Sequence, residues 1–194
     1  MRACLPSNTT NDTDQTFAKS IEQSDWLQQI SSLLQLSGAV VDLIDLQESS
    51  VMLSLEDGWD ITAQVSSIAQ LCLDPYYRTM EGFRVLIEKE WIAFGHRFAH
   101  RSNLKPAHAS SNIAFAPTFL QFLDVVYQIH KQFPLAFEFN EFYIRFLAYH
   151  MVSCRFRTFL FDCEVERFDL GIASVEDKRG SISKHMLGKC MPLL

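Results

Sequence analysis

The chain has 194 residues, of which 48% are hydrophobic and 21% charged, a composition typical of one soluble globular domain with a sizeable core. Its formal net charge of −6 argues against a general nucleic-acid or anionic-membrane binder, because such proteins carry a basic excess. No stretch approaches the ~20 apolar residues of a membrane span, and five cysteines without a C-x-x-C pair favour reduced thiols in the cytosol.

The start of the chain is polar and then changes to a helical pattern. Residues 1–20 are rich in Ser, Thr, Asn and Asp without a hydrophobic repeat, and we interpret them as a flexible leader. From Trp26 to Ile44 the apolar residues recur at helical spacing, with Ser24 or Asp25 available to cap the first turn. The pattern therefore predicts a long helix after the leader.

A strand, a loop and a second helix are predicted next. Residues 50–55 are apolar and β-favouring between polar neighbours, which predicts a short, buried central strand. Residues 60–73 predict a helix that ends at Asp74 and Pro75. We expect its inward face to hold Val65, Ile68, Ala69 and Cys72.

Four more helices are predicted in the second half of the chain. Residues 79–91 repeat apolar side chains behind Thr79, which is a suitable cap. Residues 118–133 form a strongly apolar helix between two prolines, and Asn140 can cap a helix that runs to about residue 152. A last helix is predicted for residues 155–161, and residues 102–116 read as a loop.

The loop between the predicted strand and helix has the layout of a phosphate cradle. A tight loop that runs into a helix points backbone N–H groups inward, and the positive end of the helix dipole favours an anion. Phosphatases that form a cysteinyl-phosphate need a thiolate at the end of the strand and an Arg six positions later. Here those positions hold Leu55 and Ile61. The loop reads Leu55, Glu56, Asp57, Gly58, Trp59, Asp60, Ile61, Thr62.

This loop resembles that of the myotubularin family of phosphoinositide 3-phosphatases, which reads His-Cys-Ser-Asp-Gly-Trp-Asp-Arg-Thr. The match covers residues 57–60 and Thr62, and specific runs such as residues 88–91 and 94–98 extend the resemblance over about residues 26–167. The resemblance implies an α/β fold, predominantly helical with the short central strand before the loop. It also implies that residues 21–168 are the C-terminal part of a cysteine-phosphatase-like (myotubularin) domain. Past it, residues 169–194 read as a divergent, disordered tail.

The loop with Leu55 and Ile61 is similar to that of the SET-binding factor branch, the catalytically inactive members of that family. The resemblance implies a pseudophosphatase without catalytic residues or cofactors. Such a protein would regulate an active phosphoinositide 3-phosphatase in a heteromer, in the cytoplasm at endosomal membranes. The alternative is an active 3-phosphatase for phosphatidylinositol 3-phosphate and 3,5-bisphosphate, and Leu55 and Ile61 discriminate between the two.

Three carboxylates of the loop disfavour phosphate. Asp60 matches the general acid of the family, but without a nucleophile to serve we expect it to cap the following helix. Glu56 adds a third carboxylate to Asp57 and Asp60. At about 4 Å and an effective dielectric near 20, each would oppose a unit of phosphate charge by roughly 4 kcal/mol before screening. We therefore expect phosphate to bind this loop poorly.

Two arginines are candidates for phosphoinositide binding. Arg97 and Arg101 lie four residues apart, so on a helix they would share a face and grip one anionic group. They fall where the resembled phosphatases place arginines that contact a second inositol phosphate. The alternative is a solvated basic turn. His96 and His100 have the same spacing, but no third ligand accompanies them, and we predict no metal site.

Overall fold

The structure is a computed structural model that describes residues 13–55, 57–102, 116–153 and 155–169. Within these ranges it is built from helices, and none of them is long and apolar enough to cross a membrane. The α-helices are α1 (Thr13–Gln23), α2 (Trp26–Asp45), α3 (Ile61–Leu73), α4 (Met80–Ile87), α5 (Phe98–Arg101), α6 (Thr118–Gln132), α7 (Glu141–Ser153) and α8 (Glu164–Asp169). A π-helix covers Glu88–Ala93, and 3-10 turns cover Pro75–Arg78, Pro134–Ala136 and Arg157–Phe159.

The polar start of the chain contains a helix. Residues 13–20, which we interpreted as part of a flexible leader, belong to α1, and residues 1–12 lie outside the described residues. Good helix formers such as Gln15, Ala18 and Glu22 favour this helix without an apolar stripe. The long helix predicted from Trp26 is confirmed as α2. Its capping was wrong, because Asp25 adopts a left-handed φ of 54° and makes no side-chain cap.

The predicted strand at residues 50–55 is not present. No strand is found in the described part of the chain, and no hydrogen bond in it reaches the main chain of residues 50–54. A strand needs a partner with which to exchange N–H and C=O groups, and the described residues supply none. Val51 and Leu53 nevertheless pack against the core, whereas Met52 is 88% exposed. The helical part of the predicted fold class is therefore confirmed, and its strand was wrong.

Helices α2, α3 and α6 form one side of the core. The indole Nε1 of Trp26 donates to Oδ2 of Asp124 at 2.7 Å and ties the start of α2 to α6. Helix α3 has the predicted extent and buries Val65, Ile68 and Ala69. Cys72 was expected to face inward but is exposed, because Leu71 occupies the core at that end of the helix.

The predicted helix over residues 79–91 changes type in its middle. The side chain of Thr79 accepts the N–H of Gly82 at 2.9 Å, as expected of a cap. Gly82 is required there, since a Cβ would lie 1.8 Å from the carbonyl oxygen of Tyr76. From Glu88 onward the chain forms the π-helix. This wider turn directs Glu90 toward α3, where it accepts hydrogen bonds from Ser66 and Gln70.

Aromatic side chains fill the centre of the core. The Trp91 ring lies 4.9 Å from that of Phe119 and 5.0 Å from that of Phe122. Phe98 lies 5.2 Å from Phe119 and 5.0 Å from Phe159. These rings come from the π-helix, α5, α6 and the last 3-10 turn. Their contacts therefore hold α5, which follows the π-helix, against the core.

The C-terminal elements agree with the sequence only in part. Helix α7 begins where predicted, and Asn140 Oδ1 accepts the N–H of Tyr143 at 3.3 Å. The helix predicted for residues 155–161 is wrong, because only a 3-10 turn forms there before α8. Phe159 in this turn is buried and lies 5.2 Å from the Phe119 ring. The predicted loop, from residue 103 to 115, and the tail from residue 170 lie outside the described residues.

Phe83 tests the contribution of the aromatic core. Its side chain is fully buried and stacks on Phe122 at 6.0 Å, so we expect Phe83→Ala to lower the free energy of unfolding by about 3–5 kcal/mol in urea titrations. Phe94→Ala is the matched control, because Phe94 is 69% exposed and its loss should cost less than about 0.5 kcal/mol. Equal effects of the two substitutions would contradict the core assignment.

Candidate functional site

The loop before α3 closes on itself by a tight turn. The N–H of Gly58 donates to the carbonyl oxygen of Leu55 at 2.8 Å. Gly58 has a φ of 75°, a conformation that glycine adopts at little cost. Because this N–H is already used within the turn, it is not available to an anion. Glu56 lies outside the described residues, and Asp57 is exposed.

Leu55 and Ile61 lie at the two positions where a cysteinyl-phosphatase needs its thiolate and its arginine. Leu55 is 43% exposed and Ile61 is 49% exposed. They are therefore accessible apolar side chains on either side of the turn, and neither is a buried core residue. Ile61 is also the first residue of α3, so the helix begins at the position that the sequence analysis aligned with the phosphate-binding arginine.

Asp60 does not cap α3, contrary to our expectation. It occupies the N-cap position but makes no side-chain hydrogen bond to the helix. Its carboxylate instead accepts from Arg101, through Nε to Oδ1 at 3.3 Å and through Nη2 to Oδ2. His96 Nδ1 also lies 3.3 Å from Oδ1. A charged fork binds a carboxylate more strongly than a neutral backbone N–H does, so the ion pair takes the side chain away from the helix.

These contacts decide the protonation of Asp60. Burial, the largest single influence, would raise the pKa of this carboxyl. Hydrogen bonds from His96 and Arg101, together with their charges, outweigh burial and lower the pKa below its ordinary value of 3.8. At neutral pH Asp60 is therefore an anion that holds Arg101, and it carries no proton to donate.

His96 anchors the loop to the aromatic core. Its ring is 2% exposed, and Nδ1 lies 2.7 Å from the carbonyl oxygen of Trp59. Because a carbonyl only accepts, Nδ1 carries the proton and donates it to this bond. The ring also packs on Trp91 at 5.0 Å and on Phe98 at 4.7 Å. In the part of the chain that the structure describes, no three potential metal ligands come together around it.

The two candidate arginines meet at the Trp59 ring. The guanidinium carbon of Arg97 lies 4.8 Å from the ring centroid, and that of Arg101 lies 4.6 Å from it. Arg97 is exposed and precedes α5, whereas Arg101 ends α5 and is largely buried. The two therefore share one aromatic surface, as cation–π pairs, although Arg101 is also tied to Asp60.

Asp162 supports this arrangement and was missed by the sequence analysis. Its Oδ1 accepts the N–H of His100 at 2.9 Å, and the residue is only 9% exposed. The contact joins residues 62 positions apart, so no local pattern could indicate it. By satisfying a free N–H of the short α5, Asp162 fixes the turn that carries Arg97 and Arg101.

A second polar cluster joins α3 to the π-helix and was also missed. Ser66 donates to Glu90 at 3.0 Å, and Gln70 donates to Glu90 at 2.9 Å. Lys89 donates to Tyr77 at 2.9 Å. Burial would lower the pKa of Lys89, but the contacts with Tyr77 and Glu90 raise it overall. The cluster holds α3, which begins at the loop, against the π-helix, which precedes His96 in the chain.

Comparison with known proteins identifies the class of this domain. The family model of the myotubularin-like phosphatase domain matches residues 1–168. The chain therefore belongs to the myotubularin-like phosphatase domain family. The match begins at residue 1, earlier than the resemblance that we found from Trp26.

Individual relatives agree with this family. The chain is 50% identical over 152 residues to Myotubularin-related protein 5 of Caenorhabditis elegans. The aligned region covers 78% of this chain and 8% of that protein. It is 47% identical over 154 residues to Myotubularin of Xenopus laevis, covering 78% of this chain and 25% of that protein. The rat Myotubularin gives the same identity and coverage. The chain thus spans a quarter or less of the length of these relatives.

Asp60→Asn tests the ion pair at the loop. We expect the substitution to lower the free energy of unfolding at pH 5 by about 1–2 kcal/mol, because Arg101 and His96 lose a charged acceptor. The folded-state pKa of Asp60 is lowered, so this stabilisation is present above pH 3.8 and is lost as the pH falls through the folded value. Urea titrations should therefore show the two proteins converging below pH 3.8.

Asp57→Asn is the matched control for this experiment. Asp57 is an exposed carboxylate three positions earlier in the same loop, and its neutralisation should change stability by less than about 0.5 kcal/mol. A gap between wild type and Asp60→Asn that persists unchanged to pH 2, or an equal effect of Asp57→Asn, would contradict the assignment.

Proposed function

We propose that this chain is a catalytically inactive myotubularin-like domain of the SET-binding factor type, a pseudophosphatase that regulates an active phosphoinositide 3-phosphatase. The observation that carries the proposal is the pair of apolar side chains, Leu55 and Ile61, at the nucleophile and phosphate-arginine positions. Both side chains are accessible. A substrate that reached the loop would therefore meet two apolar groups in place of a thiolate and a guanidinium.

The chemistry of phosphoryl transfer supports inactivity. Isobutyl and sec-butyl groups cannot attack phosphorus or bind its oxygens, and loss of the nucleophile in a catalytic unit typically removes about a million-fold in rate. Among the described residues the free cysteines are Cys72 and Cys163, both outside the loop. Cys72 lies roughly 16 Å along the α3 axis from Ile61, at 1.5 Å per residue.

The electrostatics of the loop also support this proposal. Asp60 is anionic and already binds Arg101, and Asp57 adds an exposed carboxylate nearby in the chain. A phosphate would have to displace Asp60 from Arg101 and lie against its charge. At about 4 Å and an effective dielectric near 20, that repulsion amounts to roughly 4 kcal/mol per unit charge before screening.

A regulatory role follows from membership of the family together with an inert loop. We infer that the partner is an active myotubularin-family phosphatase, bound as a heteromer in the cytoplasm at endosomal membranes. Exposed aromatic and aliphatic side chains in and around α7 support a protein-binding role. They are Phe133 at 61%, Leu135 at 100%, Phe142 at 61%, Tyr149 at 68% and Val152 at 60% exposed.

Phosphate release tests the inactivity. We expect the chain alone to release no phosphate above the blank from phosphatidylinositol 3-phosphate or the 3,5-bisphosphate. The double variant Leu55→Cys, Ile61→Arg examines whether restoring both groups restores turnover, and Leu55→Ala, Ile61→Ala is its matched control without new chemistry. Release by the unmodified chain at the rate of an active relative would support the alternative, an active 3-phosphatase, and would overturn the proposal.

The same assay tests regulation. Addition of the unmodified chain to an active myotubularin-family phosphatase should change the rate of phosphate release in a saturable manner. An unrelated protein of the same net charge serves as the control for non-specific effects on the vesicles. A rate that is independent of the chain across a large molar excess would sink the regulatory half of the proposal while leaving the inactivity intact.

Phosphoinositide binding without hydrolysis is the second part of the proposal. Arg97 is exposed and supported by the Trp59 ring, so its guanidinium can reach an anionic headgroup. Arg101 contributes less, because Asp60 competes for it. We therefore assign most of the residual headgroup contact to Arg97.

Arg97→Gln should lower binding to vesicles that contain phosphatidylinositol 3-phosphate by about fivefold, the effect of one exposed charge-assisted contact. Arg145→Gln is the control, since it removes the same charge from an exposed side chain on α7. Equal losses in both variants, measured by co-sedimentation, would indicate non-specific charge attraction and would contradict the assignment.

A further inference from the structure

The turn that carries Arg97 is too short to be stable by itself. Arg97 occupies the N-cap position of α5, a helix of only four residues, and makes no side-chain cap there. A single helical turn is unfavourable in isolation, because it fixes several residues for few hydrogen bonds. Gly95, two positions before Arg97, adds a left-handed φ of 79°. The course of the main chain at Arg97 is therefore set by contacts from elsewhere in the chain.

Asp162 contacts this turn on both sides of Arg97. Its Oδ1 accepts the N–H of His100 at 2.9 Å, three positions after the arginine. Its carbonyl oxygen lies 4.0 Å from the place that a Cβ on Gly95 would occupy, two positions before the arginine. Asp162 is buried, so little water competes for the hydrogen bond. One residue thus limits the movement of the main chain before and after Arg97.

Asp162 is itself fixed by its surroundings. Its N–H donates to Oε2 of Glu166 at 3.0 Å. Three positions before it, the buried Phe159 ring lies 5.0 Å from the ring of Phe98, the first residue of α5. A carboxylate also suits this place electrostatically, because the first N–H groups of a helix carry partial positive charge. Both partners of the hydrogen bond are therefore held in place.

We propose that Asp162 is a positioning residue for anion binding: it holds the turn of residues 95–100 so that the Arg97 guanidinium stays on the Trp59 ring, exposed to an anionic lipid headgroup. Asp162 does not touch the headgroup and acts through Arg97. The inference rests on the proposed headgroup contact of Arg97, and it assigns a role in binding to a residue that is distant from the loop in sequence.

The expected size of the effect follows from pre-organisation. A free arginine side chain loses rotamer freedom when it binds an anion. The Trp59 ring already restricts Arg97, whose guanidinium carbon lies 4.8 Å from the ring centroid. This contact requires the main chain of the turn to stay in place. Because loss of Arg97 is expected to cost about fivefold in affinity, loss of its positioning should cost at most about that factor.

Binding to vesicles that contain phosphatidylinositol 3-phosphate, measured by co-sedimentation, tests this role. Asp162→Ala removes the acceptor and should lower the affinity by about three- to fivefold. Asp162→Asn keeps an oxygen that can accept the N–H of His100 and should stay within about twofold of the unmodified chain.

Glu138→Ala is the matched control for Asp162→Ala. Glu138 Oε2 accepts the N–H of Met80 at 2.8 Å, so this carboxylate also joins a distant part of the chain to the start of a helix. That helix is α4, which does not carry Arg97. Its loss should therefore leave the affinity within about twofold.

A double-mutant cycle shows whether Asp162 acts through Arg97. When Arg97→Gln is already present, Asp162→Ala should weaken binding further by less than about 1.5-fold, whereas a general loss of stability would weaken both backgrounds alike. Circular dichroism and urea titrations identify a temperature at which every variant is folded. Asp162→Ser, whose hydroxyl is too short to reach the His100 N–H, replaces Asp162→Ala if alanine prevents folding.

The outcomes separate this inference from the proposed function. Unchanged affinity in Asp162→Ala, with a clear loss in Arg97→Gln, overturns the positioning role alone. The same holds for an equal loss from Asp162→Ala in both backgrounds, for an Asp162→Asn variant as weak as Asp162→Ala, or for an equal loss in Glu138→Ala. If Arg97→Gln binds as tightly as the unmodified chain, the headgroup contact itself is wrong and the positioning role is wrong with it.

Discussion

The carboxylate of Asp60 joins three parts of the molecule that are separate in the sequence. It lies between the loop and α3, binds Arg101 at the end of α5, and lies beside His96. His96 in turn donates to the main chain of Trp59, so the loop is held from two sides. Because burial opposes the charge of Asp60, the carboxylate stays ionised through these partners. The position of the loop over the core therefore depends on one partly buried ion pair.

The same ion pair stabilises the loop and opposes the binding of an external phosphate. The negative charge that holds Arg101 also occupies a cation that an external phosphate would need. Trp59 adds to the effect through cation–π contacts with both Arg97 and Arg101, which order the site. The described part of the loop is therefore ordered, with Leu55 at its start and Ile61 at its end. Among the described residues of the site, Arg97 is the arginine that stays exposed.

The sequence predicted the bounds of the long helices better than it predicted the caps and the segments between them. The bounds of α2, α3, α6 and α7 followed from apolar periodicity and from Pro or Asn at their ends, which are local signals. The cap at Thr79 was likewise confirmed. Among the predictions that failed are the cap at Asp25 and the strand at residues 50–55. They failed because a neighbouring turn and the lack of a partner strand override local preference, and neither is encoded within the segment itself.

The candidate site divides in the same way. The residue types in the loop, the loss of Cys and Arg at positions 55 and 61, and the resemblance to the myotubularin family were all readable from the order of residues. The pairing of Asp60 with Arg101, the burial of His96 and the support from Asp162 were not. Each joins residues 37 to 62 positions apart, so only chain folding brings the partners together. Sequence determined which groups are present, and tertiary structure decided which of them already satisfy one another, because electrostatic and hydrogen-bond energies depend on distance in space.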